Sequence, residues 1–174
     1  MKKWYILLVL SIVAIQPICA KYGAVSNAES RRVRSELDTL MSKVHKNLAH
    51  VTFNEVRRIR DLIFALGKLD PDNAMDIQES LEGCSGFSEF EKHASKLALT
   101  KLFAQPSSER DDSWVSSVEI QLNFFNRLNS ITFTDQKCKA LKAQWLSMYK
   151  HFAHEYEKAV GKKFIPSEGP LSGD

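Results

Sequence analysis

The residues whose types best suit them to chemistry form the run His151-Phe152-Ala153-His154-Glu155. On a helix, His151 and Glu155 face the same way four positions apart and His154 lies three from His151, so two or three of them can approach a divalent metal. The order is not HExxH, in which glutamate directly follows the first histidine, and spacing assigns no further ligand. A polar face bordering the stripe Trp145, Phe152 and Tyr156 accounts for the cluster, so no metal site is expected. His45 and His50 are five apart and point in different helical directions, and His93 has no partner in sequence.

Nucleophilic and phosphate chemistry find no support either. The chain has no GxSxG elbow, no glycine-rich phosphate loop and no dinucleotide fingerprint, motifs that each need a strand-to-helix turn. Asp111 and Asp112 fall where a helix begins, and there negative charge favours the positive end of its dipole. No catalytic residue and no cofactor is therefore expected. Cys84 and Cys138 carry no CxxC spacing or neighbouring histidine that would activate a thiolate. They read instead as a disulfide closing a loop of about 54 residues, a structural staple.

Charge offers the more informative cluster. Six arginines lie in two runs, Arg31, Arg32, Arg34 and Arg57, Arg58, Arg60. Were the first two helices an antiparallel hairpin, the runs would approach one another as a candidate partner-binding patch for acidic protein side chains, sulfated polysaccharide or lipid headgroups. The bland alternative is a solvated face balanced by Glu36, Asp38, Glu55 and Asp61. Arg31-Arg32-Val33-Arg34 also meets the arginine-x-x-arginine pattern of furin-type processing proteases, although Val33 opens the apolar stripe of its helix and would protect the site. Asn129-Ser130-Ile131 has its serine one position too early, and no N-x-S/T acceptor exists.

The elements that must position these groups are helices. Val33, Leu37, Leu40, Met41, Val44 and Leu48 recur at spacings of three and four, predicting an amphipathic helix over 28–50. Thr52 and Glu55 form a capping box with a Val51–Val56 staple, starting a helix over 53–66 that Gly67 is expected to end in the left-handed conformation. Asp70-Pro71 starts a short helix running to Leu81. Gly83 to Gly86 breaks the chain, and Ser88 with Glu91 begins a fourth helix ending near Gln105-Pro106. Trp114, Val118, Gln121, Phe125 and Leu128 mark a fifth, in which adjacent Phe124 and Phe125 cannot both face the core. The last helix follows Thr132-Phe133-Thr134-Asp135, carries Cys138 in its first turns and ends near Gly161. The fold class is thus all-α, an irregular bundle of five or six amphipathic helices with one disulfide around one core, over 21–161. Residues 162–174, punctuated by Pro166, Gly169, Pro170 and Gly173, are expected to be a flexible tail.

The N-terminus sets the compartment. Lys2 and Lys3 precede an apolar stretch from Trp4 to Ile15, followed by Gln16, Pro17 and the small residue Ala20, which reads as a signal peptide over 1–20. Twelve helical residues rise about 18 Å, short of the ~30 Å hydrocarbon core, so no stable membrane anchor is expected. Cleavage would remove Cys19, leaving an even cysteine pair for an oxidising compartment. It would also remove Lys2 and Lys3 from the 24 Lys and Arg set against 21 Asp and Glu, leaving the remainder close to neutral. That balance, with no binding motif, argues against nucleic acid. With 44% apolar and 26% charged residues, the 174-residue chain is of globular composition. The expectation is a secreted, extracellular, non-enzymatic helical protein that binds an extracellular protein partner, in an effector, venom, salivary or cytokine-like role. The alternative is a carrier or scavenger of a small apolar ligand such as a lipid, held between helices.

Overall fold

A computed structural model of the chain describes residues 27–84 and 87–166. The signal-peptide expectation and the last eight residues of the expected tail lie outside these. The described residues form six α-helices and no strand: α1 Asn27–Asn47, α2 Phe53–Leu69, α3 Pro71–Leu81, α4 Glu89–Phe103, α5 Asp112–Asn126 and α6 Gln136–Val160. Short 3-10 turns follow α1 at Leu48–His50, precede α5 at Ser107–Glu109 and follow α5 at Arg127–Ser130. The all-α bundle with one disulfide is therefore the observed architecture.

Most helix starts are local devices. Thr52 Oγ1 accepts from the Glu55 backbone N–H at 3.3 Å while the Thr52 backbone N–H donates to Glu55 Oε2 at 2.8 Å, the reciprocal pair that satisfies two otherwise orphaned donors. Asp111 Oδ1 accepts from the N–H groups of Ser113 and Trp114, both at 3.0 Å, and Asp135 Oδ1 accepts from that of Cys138 at 2.9 Å. Gly161, with φ 71°, closes α6 in the left-handed region that glycine enters without steric cost.

Helix α2 departs from expectation at its end. Gly67 lies inside the helix, which runs on to Leu69, and its missing side chain faces Ala74 of α3, whose Cβ would lie 3.8 Å from a Cβ at Gly67. A side chain at this position would meet Ala74 at ordinary van der Waals distance, and the glycine makes no left-handed turn. Asp70 then ends α2 and begins α3 in one residue, accepting from the Asn73 N–H at 3.3 Å.

The single core expected from chain length is two clusters. The first is built by α1, α2 and α3 around Leu37, Ile59, Leu62 and Leu66; the second by α5 and α6 around Val118, Leu122, Phe125 and Trp145. Helix α4 joins them, giving Phe90 and Ala94 to the first and Leu99 to the second. It packs on α2, α5 and α6, while α1 packs on α2 and α2 on α3. A helix has faces enough to serve two cores at once, so one element holds both halves together.

Phe164 falls inside the expected tail. It is only 6% exposed and sits edge-on to Tyr156 at 5.8 Å and Tyr149 at 6.3 Å, so this part of the chain packs back onto α6. Ile165, next to it, is 81% exposed. One aromatic ring returned to the core outweighs the local signal of glycine and proline, because its burial removes a large apolar surface from water.

Candidate functional site

The two arginine runs lie on the α1–α2 hairpin, and the fold divides them by what they touch. Arg58 donates from Nε and Nη2 to the two oxygens of Glu36 at 2.6 and 2.7 Å, a planar fork joining α2 to α1. That hydrogen-bonded guanidinium holds Glu36 below its ordinary carboxylate range, with Arg32 adding to the effect. Arg60 leaves α2 toward α4 and donates to Glu91 at 2.5 Å. Glu91 was expected to complete a capping box with Ser88; Ser88 Oγ does accept from the Glu91 N–H at 3.1 Å, but the carboxylate goes to Arg60. Arg58 and Arg60 thus serve two different interhelix pairs. Arg31, Arg32, Arg34 and Arg57 are exposed.

Two surface hollows lie on this hairpin. Arg31 and Arg34 line one along α1, with Ser35, Asp38, Thr39 and Ser42. The other follows the α1–α2 seam past Glu36, Leu40, Glu55 and Arg58, and Thr39 borders both. The two meet at Thr39 as a strip that carries Arg31, Arg34 and Arg58 as cations and Glu36, Asp38 and Glu55 as carboxylates beside half-buried Leu40.

Glu55 anchors the far end of the strip. Lys43 Nζ donates to its Oε1 at 2.6 Å, and Thr52 donates to it from both backbone and hydroxyl. Those bonds, the Lys43 one foremost, hold the carboxyl down at about 2 from an ordinary 4.5. A carboxyl depressed on folding stabilises the folded state at pH values above the ordinary one, and the contribution is lost as pH falls through the window from 4.5 to 2. Glu55→Gln should therefore flatten the acid side of the stability–pH profile across that window, read by thermal melts at stepped pH. Thr52→Ala should cost about 1 kcal/mol at neutral pH as a lost cap.

The other sequence candidates lie away from the hairpin strip. His151 and His154 are exposed, and Glu155 accepts from Lys158 at 3.1 Å, which lowers its carboxyl below the ordinary value. Among the described residues no three His, Cys, Asp or Glu side chains gather as a metal-binding group. His93, without a partner in sequence, donates from Nε2 to the Val51 carbonyl at 2.7 Å and so ties α4 to the loop of the hairpin. Phe125 is fully buried, while Phe124 is half-buried against Phe87 at 5.2 Å and Trp145 at 5.7 Å. Among the described residues the large apolar side chains left exposed are Phe64, Met75, Ile120 and Ile165, and the Phe64 ring carries Lys68 Nζ at 4.4 Å from its centroid.

Arg110 was not singled out in sequence. It donates to the carbonyls of Phe103 and Gln105 at 2.8 and 3.2 Å and lies 5.1 Å from the Trp114 ring, closing the C-terminal end of α4. Its one sequence signal was its position just after the expected end of that helix, where a cation meets the negative end of the dipole.

Fold and surface together define an all-α, disulfide-linked bundle with a charged strip along its first hairpin. No protein-family model, curated protein or solved structure matches the chain. No helix among the described residues is long and apolar enough to cross a membrane.

Proposed function

We propose that the protein is secreted, does no chemistry of its own, and acts by binding an extracellular protein partner through the strip along α1 and the α1–α2 seam. The observation that carries this reading is the mixed sign of the strip. Arg31 and Arg34 beside Asp38 present both signs along α1, while the Glu36–Arg58 pair and Glu55 border half-buried Leu40 in the seam. A sulfated polysaccharide or an anionic lipid surface is best met by cations alone, whereas a protein surface supplies both signs and can be matched in register. A disulfide between Cys84 and Cys138 accords with an oxidising compartment.

The test keeps the fold intact while removing the charge. In the variant R31Q/R32Q/R34Q/R57Q both interhelix pairs, Arg58–Glu36 and Arg60–Glu91, stay in place. Immobilised full chain should retain a partner protein from extracellular fluid, releasing it as salt rises, and the fourfold variant should retain at most about a tenth as much. Equal retention and equal salt dependence, with unchanged circular dichroism, would sink the proposal. A small apolar molecule carried stoichiometrically by the denatured protein, read by native mass spectrometry, would favour the carrier alternative instead.

A further inference from the structure

The run Arg31-Arg32-Val33-Arg34 lies in the first turns of α1, and the fold decides where a cut within it would fall. Arg31, Arg32, Arg34 and Ser35 are all exposed, and between Ala28 and Arg34 only Val33 is buried. From Glu36 onward the helix is held. Both Glu36 oxygens are bonded to Arg58, and Leu37 has no exposed surface. The Arg34–Ser35 peptide bond therefore sits at the border between a stretch that local opening can release and one the core retains. Helix ends with few buried contacts are where such openings concentrate, and an extended chain is what a processing protease binds.

The chain beyond that bond is written as a second helix start. Ser35 is a cap-forming residue, Glu36 and Asp38 would fall in the first turn, and Asp38 stands three residues after Ser35, the spacing of a capping box. In that pattern the carboxylate at the third position takes the N–H of the cap residue. At a new terminus this N–H belongs to an ammonium, which makes the bond charge-assisted. A cut after Arg34 leaves α1 recapped rather than frayed.

We propose that the Arg34–Ser35 bond is a processing site for an arginine-directed endoprotease of the secretory route. Water adds across the peptide bond, leaving a carboxylate on Arg34 and an amine on Ser35, with no other reactant. The cut takes Arg31 and Arg34 from the strip and leaves Ser35, Asp38, Thr39 and Ser42, so processing switches off the surface assigned above to partner binding. The inference rests on the secreted reading of the chain.

The test is the N-terminus of the full chain expressed in a secretory cell line, read by intact mass of the medium and of the cell lysate. Part of the secreted wild-type protein should begin at Ser35 and the rest upstream of Arg31, and only the longer form should retain the partner. R34K, which keeps the charge but removes the arginine the protease requires, should begin upstream of Arg31, as should wild type from cells treated with an inhibitor of furin-type proteases. R31K serves as a second variant with the same expectation. Val33→Ala, which loosens the releasable stretch, should raise the cleaved fraction at early times several-fold. Secreted wild-type protein that retains residues 31–34 in every molecule overturns the processing site and leaves secretion standing. Protein found only in the lysate overturns both.

Discussion

Replacing Trp145 by alanine is expected to lower stability by about 3–5 kcal/mol, enough to unfold the second cluster in a domain of ordinary stability. Trp145 has no exposed surface and meets three aromatic rings, Phe125 at 5.1 Å, Phe87 at 5.4 Å and Phe124 at 5.7 Å. Phe87 pairs through its backbone with Cys84 of the disulfide, and the other two belong to α5, so this one indole of α6 packs against two separate parts of the chain. Its Nε1–H is buried without a hydrogen-bond partner. Trp114 differs on this point, donating from Nε1 to the Leu102 carbonyl at 2.8 Å. Trp145→Phe should therefore cost less than Trp114→Phe, by about 1 kcal/mol. The first removes an unsatisfied donor and the second gives up a bond of about that net worth. Urea titrations of the three variants, followed by circular dichroism, check both the size and the order. Equal losses for the two phenylalanine variants would mean that the Trp145 N–H finds a partner in solution.

Removing the Cys84–Cys138 bond should be comparably severe. The bridge spans 54 residues and links the segment before α4 to the first turn of α6, with Cα atoms 5.6 Å apart. Freeing a loop of that length restores denatured-state entropy worth about 4 kcal/mol in the chain-entropy model. The bond also holds Cys84 beside Phe87, where each backbone N–H donates to the other's carbonyl, at 2.7 and 3.0 Å. Phe87 is delivered to Trp145 by that pairing. C84S/C138S should thus lose near-UV circular dichroism at a lower temperature than far-UV signal, because the aromatic cluster loosens before the helices melt. Coincident transitions, lowered by less than about 5 °C, would show that core packing alone fixes this pairing.

Both expectations come from contacts far apart in sequence, and this separates what was legible in the chain from what was not. The capping box at Thr52, the proline after Asp70, the caps at Asp111 and Asp135 and the stop at Gly161 were readable because each completes its hydrogen bonds within a few residues of itself. The disulfide was readable by another route, since removal of the expected signal peptide leaves two cysteines. The exposed arginine runs were visible as composition.

What the chain alone left open turned on distance in space. Gly67 carries the same local signal as Gly161, yet the helix runs on to Leu69 and ends at Asp70, which caps α3. Glu91 is spaced to cap α4, but Arg60 lies across the gap between helices and takes its carboxylate. Phe164 sits amid helix-breaking residues and is nevertheless buried, because Tyr149 and Tyr156 offer it an aromatic surface. Helix α4 reads as one amphipathic segment, and only the packing of its neighbours shows that it serves two clusters.

By itself the sequence determined the helices, their starts and the pairing of the cysteines, because backbone hydrogen bonding and apolar spacing are settled over a turn or two. The tertiary structure decided which arginines are spent on interhelix pairs and which border the open strip on α1. A side-chain partner twenty or thirty residues away is chosen by how helices pack, and that choice belongs to the whole fold.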